Sequence, residues 1–379
     1  MKVLTVNTML DPVAGGGTAE RTFQMSRFLA MAGVDCTVLA LDVGLRDERL
    51  AALLPARACV LHCCLPRFYL FRLPEPLIAQ LVRESDIVHL MGHWTVLNAL
   101  VAQAARKAGK PYVVCPAGAL PIYGRSRWLK GMYNAVWGKR LIRDAAAHVA
   151  IASNETAHFE TYGIAPGKIT LIPNGIDPAA FDDSDEFAFR SQFRLPTEPF
   201  VLFLGRLNTI KGPDLLLDAF LRIAERYPRI NLVFAGPDGG MLGELQAVAG
   251  KSSSAARIHF TGPLHGADKS RAYHAASLLA IPSRQEAMSI VALEGGICGT
   301  PVLITDQCGF EEIGSSGGAL IVPASVDGLQ QGLDKLLSAD VDLHAMGMAL
   351  REFTRKHYLW ETVVDHYLEL FGKLGRVGA

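Results

Sequence analysis

The sequence predicts an α/β protein with two doubly wound parallel-sheet domains. The chain has 379 residues, which is more than one hydrophobic core usually serves and suggests two domains of ordinary size. Short apolar runs with strand character alternate with amphipathic stretches, and this alternation is typical of parallel sheets with helices on both faces. We find no low-complexity tract and no short repeat in the sequence.

The strand-like runs divide between two halves of the chain. In the first half they lie at 2–7, 36–41, 58–62, 86–90, 112–115 and 147–151. In the second half they lie at 200–204, 230–235, 257–260, 278–281, 301–304 and 319–322. Pro, Asn, Gly and Asp cluster from Pro173 to about Asp185, so the junction is expected there. The predicted domains are 1–178 and 179–356, followed by a terminal segment at 357–379.

Composition and charge limit the classes of partner. The 37 basic and 37 acidic side chains give a formal net charge of zero, so no overall field attracts nucleic acid, and none is predicted as a partner. Seven cysteines, an odd number, do not suggest a disulfide framework and favour a reducing cytoplasm. No leader segment is expected before the first strand, which begins at Lys2, and no apolar run reaches the ~18 residues of a membrane span. The expected location is cytoplasmic, soluble or peripheral on the inner face of the membrane.

Two glutamates stand close together in an apolar segment. Glu286 and Glu294 flank a largely apolar stretch that is followed by Gly295 and Gly296. A carboxylate taken out of water costs several kcal/mol unless it is paired or hydrogen-bonded, so a polar group is expected to be held there. The alternative is that Glu286 is an ordinary acid of a first helical turn and that Glu294 lies on the surface.

The segment around these glutamates is expected to pass from strand to helix. The strand at 278–281 is followed by an expected helix from Ala287 to Cys298. Glu286 would then lie at the transition, with Glu294 within roughly a quarter turn of it on the helix. The backbone N–H groups of Met288 and Ser289, at the expected helix start, would offer a phosphate site.

A pair of cations follows the strand at 200–204. Arg206, directly after Gly205, offers a planar fork for phosphate oxygens, and Lys211 offers a mobile point charge. A helix is expected to begin near Pro213, which completes an anion-binding layout. The alternative is a solvated loop with two surface cations.

Together these features resemble the donor half of the family-four retaining glycosyltransferases, which have the two-domain GT-B fold with Rossmann-like domains. Further segments are similar to the family in the same order, at 172–177, 234–239, 258–264 and 299–302. The resemblance implies transfer of a sugar from a nucleotide-diphosphate donor to an acceptor hydroxyl, with retained anomeric configuration. It also implies that the chemistry uses no bound metal or other cofactor, and no third ligand with metal-site spacing accompanies the histidines.

The resemblance implies that residues 1–178 bind the acceptor, that residues 179–356 bind the nucleotide sugar, and that a last helix at 357–379 crosses back to the first domain. It also assigns roles to individual residues. Arg206 and Lys211 would bind the diphosphate, Glu286 the hydroxyls of the donor sugar and Glu294 the ribose hydroxyls. The predicted donor-binding set is Gly16, Gly17, Gly205, Leu264, Met288, Ser289 and Glu294. The predicted catalytic set is Arg206, Lys211, Glu286 and His93.

Loops after the strands of the first half are expected to face the same cleft, because ligands bind beyond the carboxyl ends of parallel strands. The loop with Gly16 and Gly17 resembles the family's glycine loop, with a plain turn as the alternative. In the next loop, His89 and Trp94 could bind acceptor hydroxyls and stack on a pyranose, together with His93. For one of the two histidines a structural role is the favoured alternative.

The chain departs from the family at Ala117, where many relatives place a histidine or arginine close to the reacting centre. This leaves open whether His93 or Arg125 supplies the missing contact. Our hypothesis is that His93 does, because it is the nearest polar candidate on a neighbouring loop, and Arg125 is assigned to the acceptor.

Residues 125–143 form a basic and aromatic stretch with helical spacing of apolar residues. Such a helix can lie on an anionic membrane surface, where lipid-linked acceptors are presented. The alternative is a helix packed on its own domain with a solvated basic face. The segment contains the cations Arg125, Arg127, Lys130, Lys139, Arg140 and Arg143 and the aromatics Trp128, Tyr133 and Trp137.

The predicted function is therefore glycosyl transfer in the synthesis of cell-surface glycan, polysaccharide or glycolipid, with a saccharide or lipid-linked acceptor. Two alternatives remain. One is a non-catalytic sugar-nucleotide-binding or partner subunit, which Ala117 makes conceivable, and the other is a GT-B sugar-nucleotide epimerase. An NAD-dependent dehydrogenase is disfavoured, because the first strand and loop lack the spaced glycine fingerprint with a later ribose acid. The base, the sugar and the acceptor depend on loop shapes and are not assigned.

Overall fold

The computed structural model describes residues 1–65, 69–72, 75–122 and 126–377. The chain divides into two compact units, one formed by Met1–Gly175 with Trp360–Ala379 and the other by Ile176–Leu359. We call them unit 1 and unit 2. Arg125, predicted to contact the acceptor, lies outside the described residues.

Unit 1 contains a parallel sheet of seven strands in the order β3-β2-β1-β6-β7-β8-β9. These strands and a separate two-stranded hairpin, β4-β5, have the bounds β1 Lys2–Val6, β2 Asp35–Leu41, β3 Arg57–Leu61, β4 Cys63–Leu65, β5 Leu70–Phe71, β6 Ile87–Met91, β7 Tyr112–Cys115, β8 Ala147–Ala150 and β9 Ile169–Leu171. The six strand runs predicted for this half are all present. The sequence reasoning missed β9 and the hairpin, because these segments are very short and β9 is an incompletely buried edge strand.

Unit 2 contains a parallel sheet of six strands in the order β12-β11-β10-β13-β14-β15. Their bounds are β10 Phe200–Leu204, β11 Asn231–Ala235, β12 Ile258–Gly262, β13 Leu278–Ile281, β14 Val302–Thr305 and β15 Ala319–Val322. Each matches a predicted run to within two residues at either end. The predicted fold class, α/β with two parallel-sheet domains, is confirmed.

Helices alternate with the strands in both units. Their bounds are α1 Pro12–Met31, α2 Asp47–Ala51, α3 Glu75–Glu84, α4 Val96–Lys107, α5 Arg127–Tyr133, α6 Lys139–Arg143, α7 Glu155–Glu160, α8 Glu186–Gln192, α9 Pro213–Ile223, α10 Leu242–Gly250, α11 Ala267–Ala275, α12 Ile290–Cys298, α13 Val326–Leu336, α14 Leu343–His357 and α15 Trp360–Val377. A π-helical turn, Asn134–Gly138, joins α5 to α6. Among the described residues no helix is long and apolar enough to cross a membrane.

The strand order of unit 2 places two loops side by side. From β10 the chain adds β11 and β12 on one side and then returns to add β13, β14 and β15 on the other. The loops that leave β10 and β13 therefore diverge from neighbouring strands, at the switch point where open α/β sheets bind their ligands. The two loops comprise residues 205–212 and 282–289, which contain the predicted site residues Gly205, Arg206, Lys211, Glu286, Met288 and Ser289.

A fully buried arginine attaches the last helix to unit 1. Arg21 is 1% exposed. Its guanidinium donates to the carbonyl oxygens of Ile172 and Pro173 at 2.8 and 2.7 Å, to Asn174 Oδ1 at 2.8 Å and to the hydroxyl of Tyr367, on α15, at 2.7 Å. Burial acts to lower the pKa of Arg21, but its interactions with Tyr367 and other neighbours raise the pKa above its ordinary value. The cation on α1 is thus held by neutral oxygens on two other segments of the chain, residues 172–174 and α15.

Replacing Arg21 with leucine is expected to lower the free energy of unfolding of unit 1 by about 3 kcal/mol or more, because buried acceptors would lose their donors at a cost of roughly 1–3 kcal/mol each. Urea unfolding followed by near-ultraviolet circular dichroism measures this change. Arg83→Leu, at an exposed position near the end of α3, is the control. Equal stability of the two variants would contradict the role given to Arg21.

Candidate donor site

Glu286 lies in the loop between β13 and α12, several residues before the helix begins. The helix starts at Ile290, with Ser289 as its N-cap residue, so the predicted helix start at Ala287 is wrong. The backbone explains the difference, because the N–H groups of Arg284 and Glu286 donate to Ile210 O at 2.7 Å and Gln307 O at 2.8 Å. Glu286 is therefore not an ordinary acid of a first helical turn.

Glu286 and Lys211 form a largely buried ion pair. Lys211 Nζ lies 2.8 Å from Glu286 Oε1, and the side chains are 31% and 9% exposed. The hydroxyl of Ser283 donates a short hydrogen bond to the same carboxylate oxygen. The backbone N–H of Lys211 is held by Asn208 Oδ1 at 3.0 Å. The two loops at the switch point thus meet through a lysine and a glutamate that the sequence had singled out separately.

Glu294 is buried within α12 and is not a surface residue. Its side chain is 7% exposed and accepts from Lys269 Nζ at 2.5 Å. The Tyr273 hydroxyl donates to the other carboxylate oxygen at 2.6 Å. Burial, reinforced by the adjacent Glu294 charge, raises the pKa of Tyr273 well above its usual range. The phenol therefore remains a donor throughout the physiological pH range.

Glycines set the position of α12 and hence of Glu294. A Cβ on Gly295 would come within 2.5 Å of the Leu279 side chain on β13, and one on Gly296 would clash with Thr354 on α14. Only glycine allows α12 to approach both neighbours this closely. The backbone position of Glu294, which precedes Gly295, is consequently fixed against β13 and α14.

A bidentate ion pair attaches the loop of Glu286 to the start of α9, directly after the loop of Lys211. The Arg284 guanidinium donates to both carboxylate oxygens of Asp214, on α9, at 2.8 and 2.5 Å. It also donates to Thr209 O at 2.7 Å. Sequence reasoning assigned these two residues no role, although Arg284 stands two positions before Glu286 and Asp214 directly follows the predicted helix start at Pro213.

The other residues of unit 2 that were predicted to bind the donor differ in their exposure to solvent. Arg206 is exposed, whereas Met288 and Leu264 are buried. Ser289 is fully buried, and its hydroxyl has no hydrogen-bond partner in the described structure. Gly205 donates its N–H to Ala235 O at 2.9 Å. Diphosphate binding by Arg206, and ligand contacts by the other four, remain predictions.

His89 belongs to the core of unit 1. It lies within β6, is completely buried and packs against Tyr367 and Phe371 with ring centroids 5.3 and 5.9 Å away. Burial, assisted by the nearby Arg21 charge, lowers its pKa to about 3. We therefore withdraw His89 as an acceptor contact, because its ring has no accessible atom to offer.

His93 is also enclosed, so its predicted direct contact with the reacting centre is not available in this structure. It is 1% exposed, and its Nε2 lies 3.0 Å from Asn134 Oδ1. Burial lowers its pKa to about 4, against the opposing effect of Asn134, so the ring is neutral at pH 7. The partly buried Trp94 contacts the His93 ring edge-on and donates its Nε1–H to Ala119 O.

The glycine run and the Ala117 loop both have left-handed backbone. Gly16, with φ of 61°, kinks α1 near its start, so this run is part of a helix entrance and not a plain turn. Ala117 and Gly118 have φ of 50° and 83°. The buried carboxylate of Glu155 accepts from the N–H of Gly118, and from that of Ile151 at 2.7 Å. This internal carboxylate fixes the loop in which the chain departs from the family.

Solved structures share this architecture along nearly the whole chain. HepE of Anabaena, solved with UDP and glucose, superposes with a TM-score of 0.76 at 18% identity, covering 98% of this chain and 100% of that one. The sucrose-phosphate synthase of Thermosynechococcus elongatus superposes with a TM-score of 0.73 at 19% identity, covering 99% of both chains. The fold is that of a GT-B glycosyltransferase.

Sequence comparison defines the family. Residues 15–180 match the model of Glycosyltransferase Family 4, and residues 184–353 match that of Glycosyl transferases group 1. The D-inositol 3-phosphate glycosyltransferase of Segniliparus rotundus is 30% identical over 247 residues, which are 63% of this chain and 55% of that protein. The corresponding enzyme of a Mycobacterium species is 35% identical over 180 residues, 46% of this chain and 40% of that protein. The chain belongs to the family-4 glycosyltransferases of the GT-B fold, and it spans about half the length of these curated relatives.

Removing the Asp214 carboxylate is expected to lower glycosyl transfer at least about tenfold while the helices of unit 2 persist. Without its bidentate partner, Arg284 would no longer hold the loop of Lys211 against the loop of Glu286. Asp214→Ala is the test variant, and Asp218→Ala, exposed on the same helix, is the matched control. Glycosyl-transfer rates of the two variants test this expectation. Equal rates would show that the Asp214–Arg284 ion pair does not organise the site.

Proposed function

We propose that the protein is a retaining glycosyltransferase that moves a sugar from a nucleotide-diphosphate sugar to an acceptor hydroxyl. The observation that carries the proposal is the Lys211–Glu286 ion pair at the switch point of the unit 2 sheet. A lysine held at 2.8 Å from a buried carboxylate is positioned before any substrate arrives. Its ammonium retains further donors for phosphate oxygens.

The proposed chemistry depends on stabilising the departing diphosphate. Negative charge builds on the leaving group, and preorganised donors aimed at that charge typically contribute ~3 kcal/mol each. Lys211 and Arg206 would supply two of these donors, and the N-terminus of α12 at Ser289 a third. Glu286 would both orient Lys211 and accept hydrogen bonds from hydroxyls of the donor sugar. The leaving phosphate would itself take the proton of the acceptor, so the chain needs no separate base.

The substrates are proposed at the level of class. The neighbouring HepE structure contains UDP and glucose, which supports a nucleotide-diphosphate sugar as donor without selecting its base. The curated relatives are named for D-inositol 3-phosphate. For this chain the acceptor class is a saccharide or a lipid-linked saccharide, in the synthesis of cell-surface glycan, polysaccharide or glycolipid.

Lys211→Ala is expected to lower turnover at least about tenfold, equivalent to about 1.4 kcal/mol of transition-state stabilisation, with the fold preserved. Lys251→Ala, at an exposed position in the same unit, is the control. The donor is first identified by thermal stabilisation with a panel of UDP-, GDP- and ADP-sugars, and turnover is then measured with that donor. Wild-type turnover in Lys211→Ala would contradict the proposal.

We further propose that the segment from α5 to α6 binds an anionic membrane surface. Tyr133 and Asn134 pack inward against His93, so the segment is attached to its own unit. Its outer side nevertheless exposes a cluster of large apolar side chains beside cations, a combination suited to the interface of an anionic bilayer. The exposed residues are Trp128 at 68%, Leu129 at 42%, Met132 at 56%, Val136 at 59% and Trp137 at 46%.

Membrane binding is measured by sedimentation with vesicles that contain phosphatidylglycerol. Neutralising Arg127, Lys130, Lys139 and Arg140 with glutamine is expected to abolish most of the binding, because each cation near such a surface contributes about 1 kcal/mol. The control replaces exposed unit 2 cations, at Arg229, Lys251, Arg355 and Lys356. Unchanged sedimentation of the first variant would refute the membrane role.

A further inference from the structure

Lys269 is the residue beside the proposed ribose site to which sequence reasoning assigned no function. It lies on α11, and its ammonium contacts Glu294 Oε1 at 2.5 Å. The Lys269 side chain is 28% exposed and that of Glu294 is 7% exposed. Tyr273, which holds the other oxygen of the carboxylate, is completely buried. Of the three side chains in this cluster, that of Lys269 is therefore the most exposed.

The cluster of Lys269, Glu294 and Tyr273 has hydrogen-bond donors and acceptors that its internal contacts do not use. An ionised carboxylate has about four acceptor positions, and Lys269 and Tyr273 occupy one on each oxygen of Glu294. An ammonium has three donors, of which Glu294 takes one, while the Phe181 ring lies 5.9 Å from Nζ. The pair can consequently accept and donate hydrogen bonds at the same place.

We propose that Lys269 and Glu294 together recognise the ribose hydroxyls of the donor nucleotide, which makes Lys269 a specificity-determining residue. The inference rests on the proposed function, because it takes Glu294 as the ribose contact. A hydroxyl is both a donor and an acceptor, so a carboxylate alone satisfies only its O–H. Lys269 donates a hydrogen bond to a hydroxyl oxygen of the same diol. The ion pair therefore offers a hydroxyl both an acceptor and a donor.

A purely structural role for Lys269 leads to a different expectation. If the lysine only positioned Glu294, its removal would lower the ribose preference through the displaced carboxylate, and it would have no further effect once Glu294 is replaced by glutamine. If it donates to a ribose hydroxyl, its removal weakens binding of nucleotides that carry that hydroxyl whether or not the Glu294 carboxylate is present. The ratio between the affinities for ribose and deoxyribose nucleotides, measured for Lys269→Met in the wild-type and Glu294→Gln backgrounds, separates the two roles.

The experiment measures binding of UDP, GDP and ADP, with their 2′-deoxy and 3′-deoxy forms, by isothermal titration calorimetry. Wild-type protein is expected to bind its preferred diphosphate at least about tenfold more tightly than one of the two deoxy forms. Lys269→Met is expected to lose most of that preference, and Lys269→Arg, which keeps a cationic donor, to retain part of it. Lys251→Met serves as the control for loss of a surface charge.

The outcomes distinguish this inference from the proposed function. Three results overturn the role of Lys269 and leave the donor site intact: equal weakening of ribose and deoxyribose forms in Lys269→Met, no preference in the wild type, or no effect of Lys269→Met on the ratio in the Glu294→Gln background. Failure of the wild type to bind any of the three diphosphates overturns the proposed function as well. If Lys269→Met does not fold, as judged by circular dichroism, Lys269→Gln is used, since it keeps a neutral donor of similar length and should show a reduced preference.

Discussion

The ion pair between Lys211 and Glu286 is the interaction on which the proposed chemistry depends. Each residue lies on a loop that follows one of two adjacent central strands, β10 and β13. The loops are joined by a backbone hydrogen bond from Arg284 to Ile210, by the Arg284 guanidinium on Thr209 O and by the ion pair itself. Arg284 also pairs with Asp214 at the start of α9. A buried carboxylate would be costly without a partner, so the lysine that can bind phosphate also stabilises the Glu286 carboxylate. The Lys211–Glu286 contact therefore both stabilises the two loops and positions a cation that can bind phosphate.

A similar principle applies around Glu294. Its burial at the glycine-rich end of α12 is made possible by Lys269 and Tyr273, which hold both carboxylate oxygens. In unit 1, by contrast, the polar groups near the predicted loops are turned inward. His93, Asn134 and Tyr162 bind one another beneath the segment from α5 to α6, and Glu155 holds the loop of Ala117. These contacts pair the polar groups within unit 1, while the charged groups proposed for diphosphate binding lie in unit 2.

The sequence was sufficient for the architecture because buried parallel strands are compact apolar runs bounded by turn residues. It was also sufficient for the Lys211 and Glu286 loops, whose charges stand out beside such runs. It failed for the start of α12, because hydrogen bonds to Ile210 and Gln307, distant in the chain, hold the preceding residues in a non-helical loop. It failed for His89 because one polar residue inside a central strand resembles a loop residue when only its neighbours in sequence are considered. Lys269 and Tyr273 were missed because α11 is a polar helix, and its packing against α12 is not apparent from the sequence.

The most direct measurement is the position of Lys211 in a crystal structure with the nucleoside diphosphate that binds most tightly. The account predicts that Lys211 Nζ lies within about 3 Å of a diphosphate oxygen, as charge-assisted hydrogen bonds do, with Glu286 still beside it. A nucleotide bound elsewhere on the protein, with Lys211 paired only to Glu286, would contradict it.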